Sequence, residues 1–413
     1  MADVRPFAAL RPKPAFAAQV SALPYDVMSS DEARELVKNN PYSFLHVTKA
    51  EIDLDPGVSI YDDLVYETAA LNLGRMEAYG ILERDKKPCY YIYAQSMDGR
   101  TQTGVVAVAS VDEYLSGRIK KHELTREEKE LDRVKHVTAT RANTGPVFLT
   151  HKPCPKISAF ISDWTTENEA LYQFMAEDGV THTAWIVDNE SAIDELRDYF
   201  DALDVLYIAD GHHRNASAAR VSLDKRAQNP DADADASFNY YLSVIFSSDE
   251  LYIMDYNRVV ESLNEHSPAS FKHALMSKFD IKSSPQAVYP HERHSFGMYL
   301  DDGWYVLKAK PGIIIKGDAV AALDVSILQT HVLEPLLGIK DPRTDRRIDF
   351  VGGLRGLRAL EDHVKLHGGV AFSMHPTSME ELMSIADKGQ IMPPKSTWFE
   401  PKLRSGLFVH TFR

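Results

Sequence analysis

The first 260 residues alternate short apolar runs with segments of helical periodicity. Apolar runs bounded by turn-forming residues predict buried strands, and apolar residues spaced three or four apart predict helices that bury one face. The predicted strands are 23–27, 43–47, 89–94, 103–108, 145–149, 184–187, 205–208 and 240–246. The predicted helices are 29–39, 60–81 and 191–203. This interleaving indicates a mixed α/β class.

Local signals define several ends of these elements. Ser29 and Glu32 have the spacing of a capping box, and Thr377 and Glu380 repeat it near the C-terminus. The pair Asp98-Gly99 predicts a hairpin turn between two strands. The helix over 60–81 has four candidate inward residues and a glycine that ends it: Leu64, Ala69, Leu71, Met76 and Gly80.

The pattern changes after about residue 260, where helical spacing becomes more frequent. We therefore expect a mixed α/β domain over 1–260 and a C-terminal α+β domain over 261–413 with a wrapping tail. The acidic stretch 231–235 is expected to be a loop because it has few apolar side chains.

The polar cluster after the strand at 205–208 carries the most chemistry. Asp210, Gly211, His212, His213 and Arg214 are followed by Asn215 and a run of good helix formers. A strand-to-helix turn directs backbone N–H groups and the positive end of the helix dipole at one point. The pattern predicts a phosphate site, with Asp210 as a carboxylate that accepts a proton or holds a metal.

Two alternatives remain open for this cluster. A solvated turn explains Asp-Gly, although it requires none of the residues that follow. Zinc is a second alternative, but adjacent histidines point in different directions and Cys89 and Cys154 have no paired spacing.

A charge-dense segment, 126–136, predicts a helix with a solvated face. We single out His122-Glu123 and Asp132-Arg133 as candidates for a functional role. Near the C-terminus, Pro393-Pro394 precede Lys395, Ser396 and Thr397 in an extended segment. Lys395 and Ser396 are candidate anion contacts, but no glycine-rich loop accompanies them, so a P-loop is excluded and a surface anchor that wraps the C-terminus onto the core is the favoured alternative.

Composition restricts the classes of partner. The net charge of −14, from 46 basic and 60 acidic residues, disfavours nucleic acid and acidic membranes as partners. Two cysteines argue against a disulfide framework. Residues 1–10 have no long apolar core, and no run of 18 or more apolar residues appears, so we expect a cytoplasmic protein without a signal peptide or a membrane span.

Six segments together carry a family resemblance. They are Leu23-Pro24-Tyr25-Asp26-Val27, Phe44-Leu45-His46-Val47, His122-Glu123, Asp132-Arg133, Ala209-Asp210-Gly211-His212-His213-Arg214 and Met392-Pro393-Pro394-Lys395-Ser396-Thr397. In this order they resemble the family called domain of unknown function ten-fifteen, over nearly the whole chain. The family name itself implies no activity.

The segment Asp210–Arg214 also resembles, more distantly, the phosphate-binding motif of the ParB/sulfiredoxin fold. Asp210, Gly211, His213 and Arg214 match that motif and His212 fills its variable position. The superfamily includes free-serine kinases that use ADP or ATP, sulfiredoxins and CTP-binding partition proteins. The resemblance implies a ParB/sulfiredoxin-like core with large insertions, because about 200 residues precede the motif.

The first functional hypothesis is a nucleotide-dependent phosphotransferase that acts on a small hydroxyl compound, free serine above all. Asp210 and His213 are the expected catalytic residues of the loop, and Asp26 or Glu123 is the expected base. Gly211, His212, Arg214 and Asn215 would bind phosphate, with His122, Arg133, Lys395 and Ser396 as further anion contacts.

ADP or ATP would be the phosphoryl donor, with Mg²⁺ held by Asp210. The alternatives are a nucleotide-sensing regulator resembling partition proteins and a phosphatase that uses the same loop with water as acceptor. The expected partners are the nucleotide, a small-molecule substrate and a second copy of the chain in a homodimer.

Overall fold

The computed structural model describes residues 2–301 and 303–412. The strands are β1 Val4–Arg5, β2 Leu10–Pro12, β3 Leu82–Arg84, β4 Tyr90–Met97, β5 Arg100–Ser110, β6 Ile119–Lys120, β7 Ala142–Asn143, β8 Val147–His151, β9 Tyr172–Met175, β10 Thr181–Val187, β11 Leu206–Asp210, β12 Tyr240–Ser247, β13 Ile253–Met254, β14 Tyr256–Val260, β15 Phe279–Ser284, β16 Ser295–Leu300, β17 Gly303–Ala309, β18 Ile348–Gly352, β19 Val370–Met374, β20 Trp398–Phe399 and β21 His410–Thr411.

The α-helices connect these strands. They are α1 Ala17–Val20, α2 Ser30–Val37, α3 Leu45–Thr48, α4 Asp63–Ala78, α5 Val111–Leu115, α6 Glu127–Thr140, α7 Pro155–Glu167, α8 Glu190–Asp201, α9 His212–Gln228, α10 Pro268–Leu275, α11 Asp324–Leu328, α12 Gly356–His367 and α13 Met379–Asp387. Within residues 2–301 and 303–412, no helix combines the length and apolar character needed to cross a bilayer.

The chain forms two compact units. The first contains residues 2–121, 125–251 and 401–412, and the second contains residues 122–124 and 252–400. Strands and helices interleave in both, so the expected mixed α/β class is confirmed.

A nine-stranded sheet is the centre of the first unit. Its order is β6-β11-β8-β12-β5-β4-β10-β9, with β1 paired to β5. Every residue of β12 is buried, and the strand pairs parallel to β8 and antiparallel to β5. A strand with neighbours on both sides and helices on its faces reads as a continuous apolar run, which explains the strong signal at 240–246.

The second unit is built around a six-stranded antiparallel sheet with the order β15-β17-β16-β19-β14-β18. Helix α12 packs on this sheet through Leu360 and Val364, which are buried with Val259 and Ala371. The sequence pattern after residue 260 predicted more helix and did not reveal this sheet.

The hairpin between β4 and β5 is confirmed, and its turn residues explain why it forms there. Asp98 and Gly99 both have positive φ, at 52° and 74°. That backbone conformation belongs to the two-residue turn whose twist matches antiparallel strands. The capping box of α2 is also confirmed, because Ser29 accepts from the Glu32 N–H and Glu32 from the Ser29 N–H.

Two predicted strands are wrong. Residues 23–27 form no strand, because Pro24 has no N–H to donate and its carbonyl instead accepts from the Val27 N–H in a turn. Residues 43–47 lead into the helix α3, whose N–H groups bond to carbonyls three and four residues back, as Thr48 does to Phe44. A short apolar run is equally compatible with a buried helix.

Two helix details also differ from the prediction. In α4, Ala69 and Met76 face inward, but Leu64 and Leu71 are exposed and Val65, Tyr66 and Leu73 are buried instead. The capping box before α13 is shifted by one residue, because Ser378 and Glu381 form it rather than Thr377 and Glu380. Overlapping capping patterns are resolved by packing and not by spacing alone.

Gly104 provides a test of the packing between β5 and β12. A Cβ there would lie 2.8 Å from the carbonyl oxygen of Ile245 and 2.8 Å from the Phe246 ring. Because a backbone carbonyl in a central sheet cannot move aside, we expect Gly104→Ala to lower the free energy of unfolding by about 1–3 kcal/mol.

The matched control is Gly74→Ala in α4, where a Cβ would meet nothing within 4 Å. This substitution removes a helix-interior glycine and should raise the free energy of unfolding by about 0.5–1 kcal/mol. Urea unfolding of both variants measures the two effects. Equal stability of Gly104→Ala and wild type would contradict the tight packing.

Candidate functional site

The candidate site is built where β11 leads into α9. Gly211 is the N-cap of α9 and has φ 89° and ψ 29°, the left-handed conformation that glycine adopts without strain. The N-cap residue is a glycine and has no side chain that could cap the helix. The N–H groups of the first turn of this 17-residue helix therefore point out of its N-terminus, where the helix dipole is positive.

A bulge at the end of β11 positions Asp210. The register between β11 and β8 shifts between Ile208 and Asp210. An extra residue of this kind bends a strand and changes the direction of the side chains that follow it. The Asp210 Oδ1 accepts from the Gly211 N–H at 2.7 Å, and the Oδ2 accepts from Lys402 Nζ at 3.0 Å.

The ion pair with Lys402 decides the charge state of Asp210. Burial raises the pKa of the Asp210 carboxyl, but the Lys402 ammonium, Arg214 and the Gly211 N–H outweigh burial and hold the pKa well below its usual range. The Asp210 side chain is 44% exposed, so solvent screens the pair and its net contribution to stability is small. Asp210 is an anion at neutral pH.

Lys402 is the site residue that the sequence analysis missed. It lies in the final segment of the first unit, which is anchored by Ala22 to Ser405 and Leu10 to Val409 backbone hydrogen bonds. Neither periodicity nor motif spacing links a residue at position 402 to one at position 210. The sequence carries no signal that distinguishes Lys402 from the charged residues Glu400 and Arg404 beside it.

His213 is half-buried and contacts the start of α6. Its Nε2 accepts a hydrogen bond of 3.0 Å from the Arg126 N–H, and Arg126 is the N-cap of that helix. A ring nitrogen that accepts carries no proton, so the neutral His213 holds its proton on Nδ1. His212 and Asn215 are buried in the first turn of α9.

Two guanidinium groups flank the ring of Tyr25. The Cζ of Arg133 lies 3.9 Å from the ring centre and that of Arg214 lies 5.5 Å from it. Arg133 also pairs with Asp132 at 2.8 Å. Arg214 donates to the Pro146 carbonyl at 2.9 Å, and its Nη2 lies 3.6 Å from Oδ1 of Asp26. The structure thus brings Tyr25-Asp26, Asp132-Arg133 and the loop at 210–214 together in the first unit.

A small cavity lies beside this cluster. Its volume is about 30 Å³, enough for about two water molecules and too small for a nucleotide. Its polar lining includes Arg133, Arg214, Thr144, Ser217 and Tyr241. The buried Tyr241 hydroxyl faces Asn215 without forming a hydrogen bond of good geometry. The cavity is therefore suited to ordered water behind the loop.

The remaining predicted residues belong to the second unit, namely His122, Glu123, Lys395 and Ser396. The His122 carbonyl accepts from the Met392 N–H at 2.8 Å. Ser396 is buried, and its hydroxyl donates to the Pro393 carbonyl at 2.6 Å. The roles expected for these four residues stay predictions.

Asp210 does not fit the expected role of Mg²⁺ ligand. One of its oxygens accepts from an ammonium and the other from a backbone N–H. A divalent cation at this carboxylate would lie beside Lys402 and be repelled by it. We assign Asp210 to the positioning of Lys402 and the Gly211 N–H instead.

Comparison with protein families identifies the chain. Residues 4–326 match the model described as "Protein of unknown function (DUF1015)". The chain belongs to this family. The family resemblance is thereby confirmed, and five of the six sequence segments lie within the matched residues, whereas the segment over 392–397 lies beyond them. A search of curated proteins found no match.

The solved structures that match this DUF1015 protein are distant from it. A free serine kinase in complex with AMP is 16% identical, with 74% of this chain and 91% of that chain covered and a TM-score of 0.36. A conserved hypothetical protein from Pyrococcus furiosus is 14% identical, with 74% and 94% covered and a TM-score of 0.36. A C-terminally truncated SbnI from Staphylococcus aureus is 11% identical, with 74% and 87% covered and a TM-score of 0.37. These similarities are too low to transfer a function.

His136 in α6 generates a prediction about acid stability. It is buried beside Arg133, and its Nε2 lies 2.9 Å from the Val47 carbonyl. Burial, followed by the charge of Arg133, lowers the pKa of His136 to about 4. The unfolded chain therefore binds this proton near pH 6.5, whereas the folded chain does not bind it until about pH 4. The contribution of neutral His136 to the free energy of unfolding is therefore complete above pH 6.5 and is lost as the pH falls towards 4.

We expect this residue to account for about 2 kcal/mol of the stability that wild type loses between pH 7 and pH 5. In His136→Gln the loss over that interval should be smaller by that amount. Urea unfolding at both pH values measures it, and the buried His182 and His410 titrate equally in both proteins. Parallel curves for the variant and wild type would show that His136 does not titrate in this way.

Proposed function

We propose that this protein is a nucleotide-dependent phosphotransferase that acts on a small hydroxyl compound, with free serine as the acceptor. The observation that carries the proposal is the N-terminus of α9, which begins at the left-handed Gly211 and is accompanied by Arg214 and Lys402. Backbone N–H groups, a helix dipole and side-chain cations together favour a phosphate group.

The cations around the loop support this assignment. Arg214 and Arg133 share the ring of Tyr25, and Lys402 contacts Asp210. Because phosphoryl transfer depends on positioning and on neutralising the charge of the phosphate oxygens, such a cluster suits the reaction. Arg214 is assigned to the nucleotide phosphates, since a guanidinium donates to two oxygens at once.

Free serine is proposed as the acceptor because the segment Asp210–Arg214 resembles the motif of free-serine kinases. In the reaction, the serine hydroxyl oxygen forms a bond to the terminal phosphorus of ATP or ADP. The bond between that phosphorus and the bridging oxygen breaks, and the nucleotide leaves with one phosphate fewer. The hydroxyl proton passes to a carboxylate, which is Asp26 or Glu123.

His213 is assigned a donor role in this mechanism. Its Nε2 accepts from the Arg126 N–H, so the Nδ1–H is the group that can donate to a phosphate oxygen. The same contact ties the start of α6 to the start of α9. Protonation of the Nε2 would break the contact, and we therefore propose that neutral His213 is the active form.

The nucleotide-binding step is tested with Arg214→Lys. The substitution keeps the charge and removes the two-oxygen fork, so affinity for ADP or ATP should fall roughly tenfold to a hundredfold. Thermal shift and calorimetric titration measure it for ADP, ATP and CTP, each with and without Mg²⁺.

The control for this variant is Arg220→Lys in the same helix, where the side chain is 45% exposed and lies 3.7 Å from Glu130. It should bind nucleotide as wild type does. Thermal melting of Arg214→Lys without ligand measures any loss of stability that results from weakening the hydrogen bond to the Pro146 carbonyl. Unchanged affinity in Arg214→Lys would remove Arg214 from the proposed site.

The transfer step is tested by incubating the chain with serine and ATP or ADP and following phosphoserine by ³¹P NMR. We expect turnover by wild type. The two candidate bases are tested with Asp26→Asn and Glu123→Gln. The variant that removes the true base should lower kcat by about 10²- to 10⁴-fold with little effect on nucleotide affinity.

Asp31→Asn is the matched control, because Asp31 is 94% exposed and forms an ion pair with Arg34 in α2, away from the loop at 210–214. It should keep full activity. Nucleotide binding without phosphoserine would indicate a sensor, and release of inorganic phosphate without phosphoserine would indicate a hydrolase. Either result would contradict the kinase assignment.

A further inference from the structure

The second unit contains a buried arginine that has no carboxylate partner. Arg258 lies in β14, between β18 and β19, and only 3% of it is exposed. Within residues 2–301 and 303–412, its hydrogen-bond partners are carbonyl groups and no acidic side chain forms an ion pair with it. Burial lowers the pKa of its guanidinium to about 10. A buried charge without a counter-charge is unfavourable, and it persists only where the surrounding structure or a ligand compensates.

The present partners of Arg258 are neutral carbonyl groups. Its Nη1 donates to the Tyr256 carbonyl, and its Nη2 donates to the Lys395 carbonyl at 2.8 Å. A carbonyl is a weaker acceptor for a guanidinium than an oxyanion, because only the oxyanion carries a full negative charge. The Lys395 carbonyl therefore occupies a position that an anion would fill more favourably.

Aromatic side chains surround the two cations of this region. The Arg258 Cζ lies 5.5 Å from the centre of the Phe350 ring, and the Lys395 Nζ lies 5.7 Å from the centre of the Tyr256 ring. The Tyr256 ring also contacts Trp398, with ring centres 4.8 Å apart. These faces hold both cations in place without neutralising them.

The segment that covers Arg258 is strained at one residue. Lys395 has φ 59°, a left-handed conformation that is unusual for lysine. The residues around it are held firmly, since the Ser396 hydroxyl donates to the Pro393 carbonyl and the Thr377 hydroxyl donates to the Ser396 carbonyl. A strained residue within a well-anchored turn, directly over a buried cation, is typical of a functional site.

We propose that Arg258 and Lys395 form a binding site for an oxyanion, a phosphoryl group above all, in the second unit. The oxyanion takes the place of the Lys395 carbonyl at the Arg258 guanidinium, and the exposed Lys395 ammonium contacts it from the solvent side. Binding breaks the hydrogen bond between Arg258 and the Lys395 carbonyl and lets the Lys395 backbone leave its left-handed conformation, while the Ser396 and Thr377 hydrogen bonds hold the rest of the turn. The proposal does not depend on the kinase assignment, because its central residue, Arg258, has no role in that assignment and lies in the second unit.

The experiment follows Trp398 fluorescence in the full chain while inorganic phosphate is added at constant ionic strength. Because Trp398 contacts Tyr256, we expect a saturable change in wild type that disappears in Trp398→Phe. Arg258→Lys keeps the charge and loses the fork, and should weaken phosphate binding at least tenfold. Lys395→Gln removes an exposed ammonium and should weaken it severalfold while leaving the fold intact.

Arg214→Lys is the matched variant from the first unit, and it should keep the Trp398 response. Phosphoserine in place of phosphate tests whether an ester binds as the free anion does, and acetate tests whether a carboxylate suffices. An equal response to potassium chloride, or an unchanged response in both Arg258→Lys and Lys395→Gln, would overturn the proposal. If only Arg214→Lys loses the response, phosphate binds at the start of α9 and not at Arg258, and this result would also overturn the proposal.

Discussion

The candidate site depends on the ion pair between Asp210 and Lys402. One carboxylate joins three parts of the first unit: the end of β11, the N–H of Gly211 at the start of α9, and the C-terminal segment that carries Lys402. Without the carboxylate, an ammonium would remain close to the positive end of a helix dipole. Lys402 would then be repelled by the start of α9, and the tail would lose its contact with the loop.

This arrangement concentrates positive charge in a chain whose net charge is −14. Arg133 and Arg214 both contact the ring of Tyr25, and Lys402 forms an ion pair with Asp210. These three cations come from distant positions in the sequence. Coulomb energy falls with distance and is screened by salt, so near cations outweigh a distant acidic surface. An acidic protein can therefore attract a small anion to one point while it repels polyanions such as nucleic acid.

Local patterns predicted much of the fold where one interaction dominated. The hairpin at Asp98-Gly99 follows from positive φ angles, the start of α2 from the Ser29–Glu32 capping box, and β12 from its continuous burial. The strand at 43–47 failed because a short apolar run suits a buried helix equally well. The orientation of α4 failed because its environment, and not its sequence, decided that Leu71 is exposed while Leu73 is buried.

The sequence by itself determined the chemistry of the 210–215 loop: a strand, a glycine with positive φ and a helix start follow from adjacent residues. The sequence also identified Tyr25-Asp26 and Asp132-Arg133 as candidate functional residues. Only the tertiary structure decided that Lys402 neutralises Asp210, that His213 accepts from Arg126, and that Arg258 is buried without a carboxylate. The reason is physical. Backbone conformation depends on neighbours in the chain, whereas burial and charge pairing depend on residues that folding brings together from distant positions.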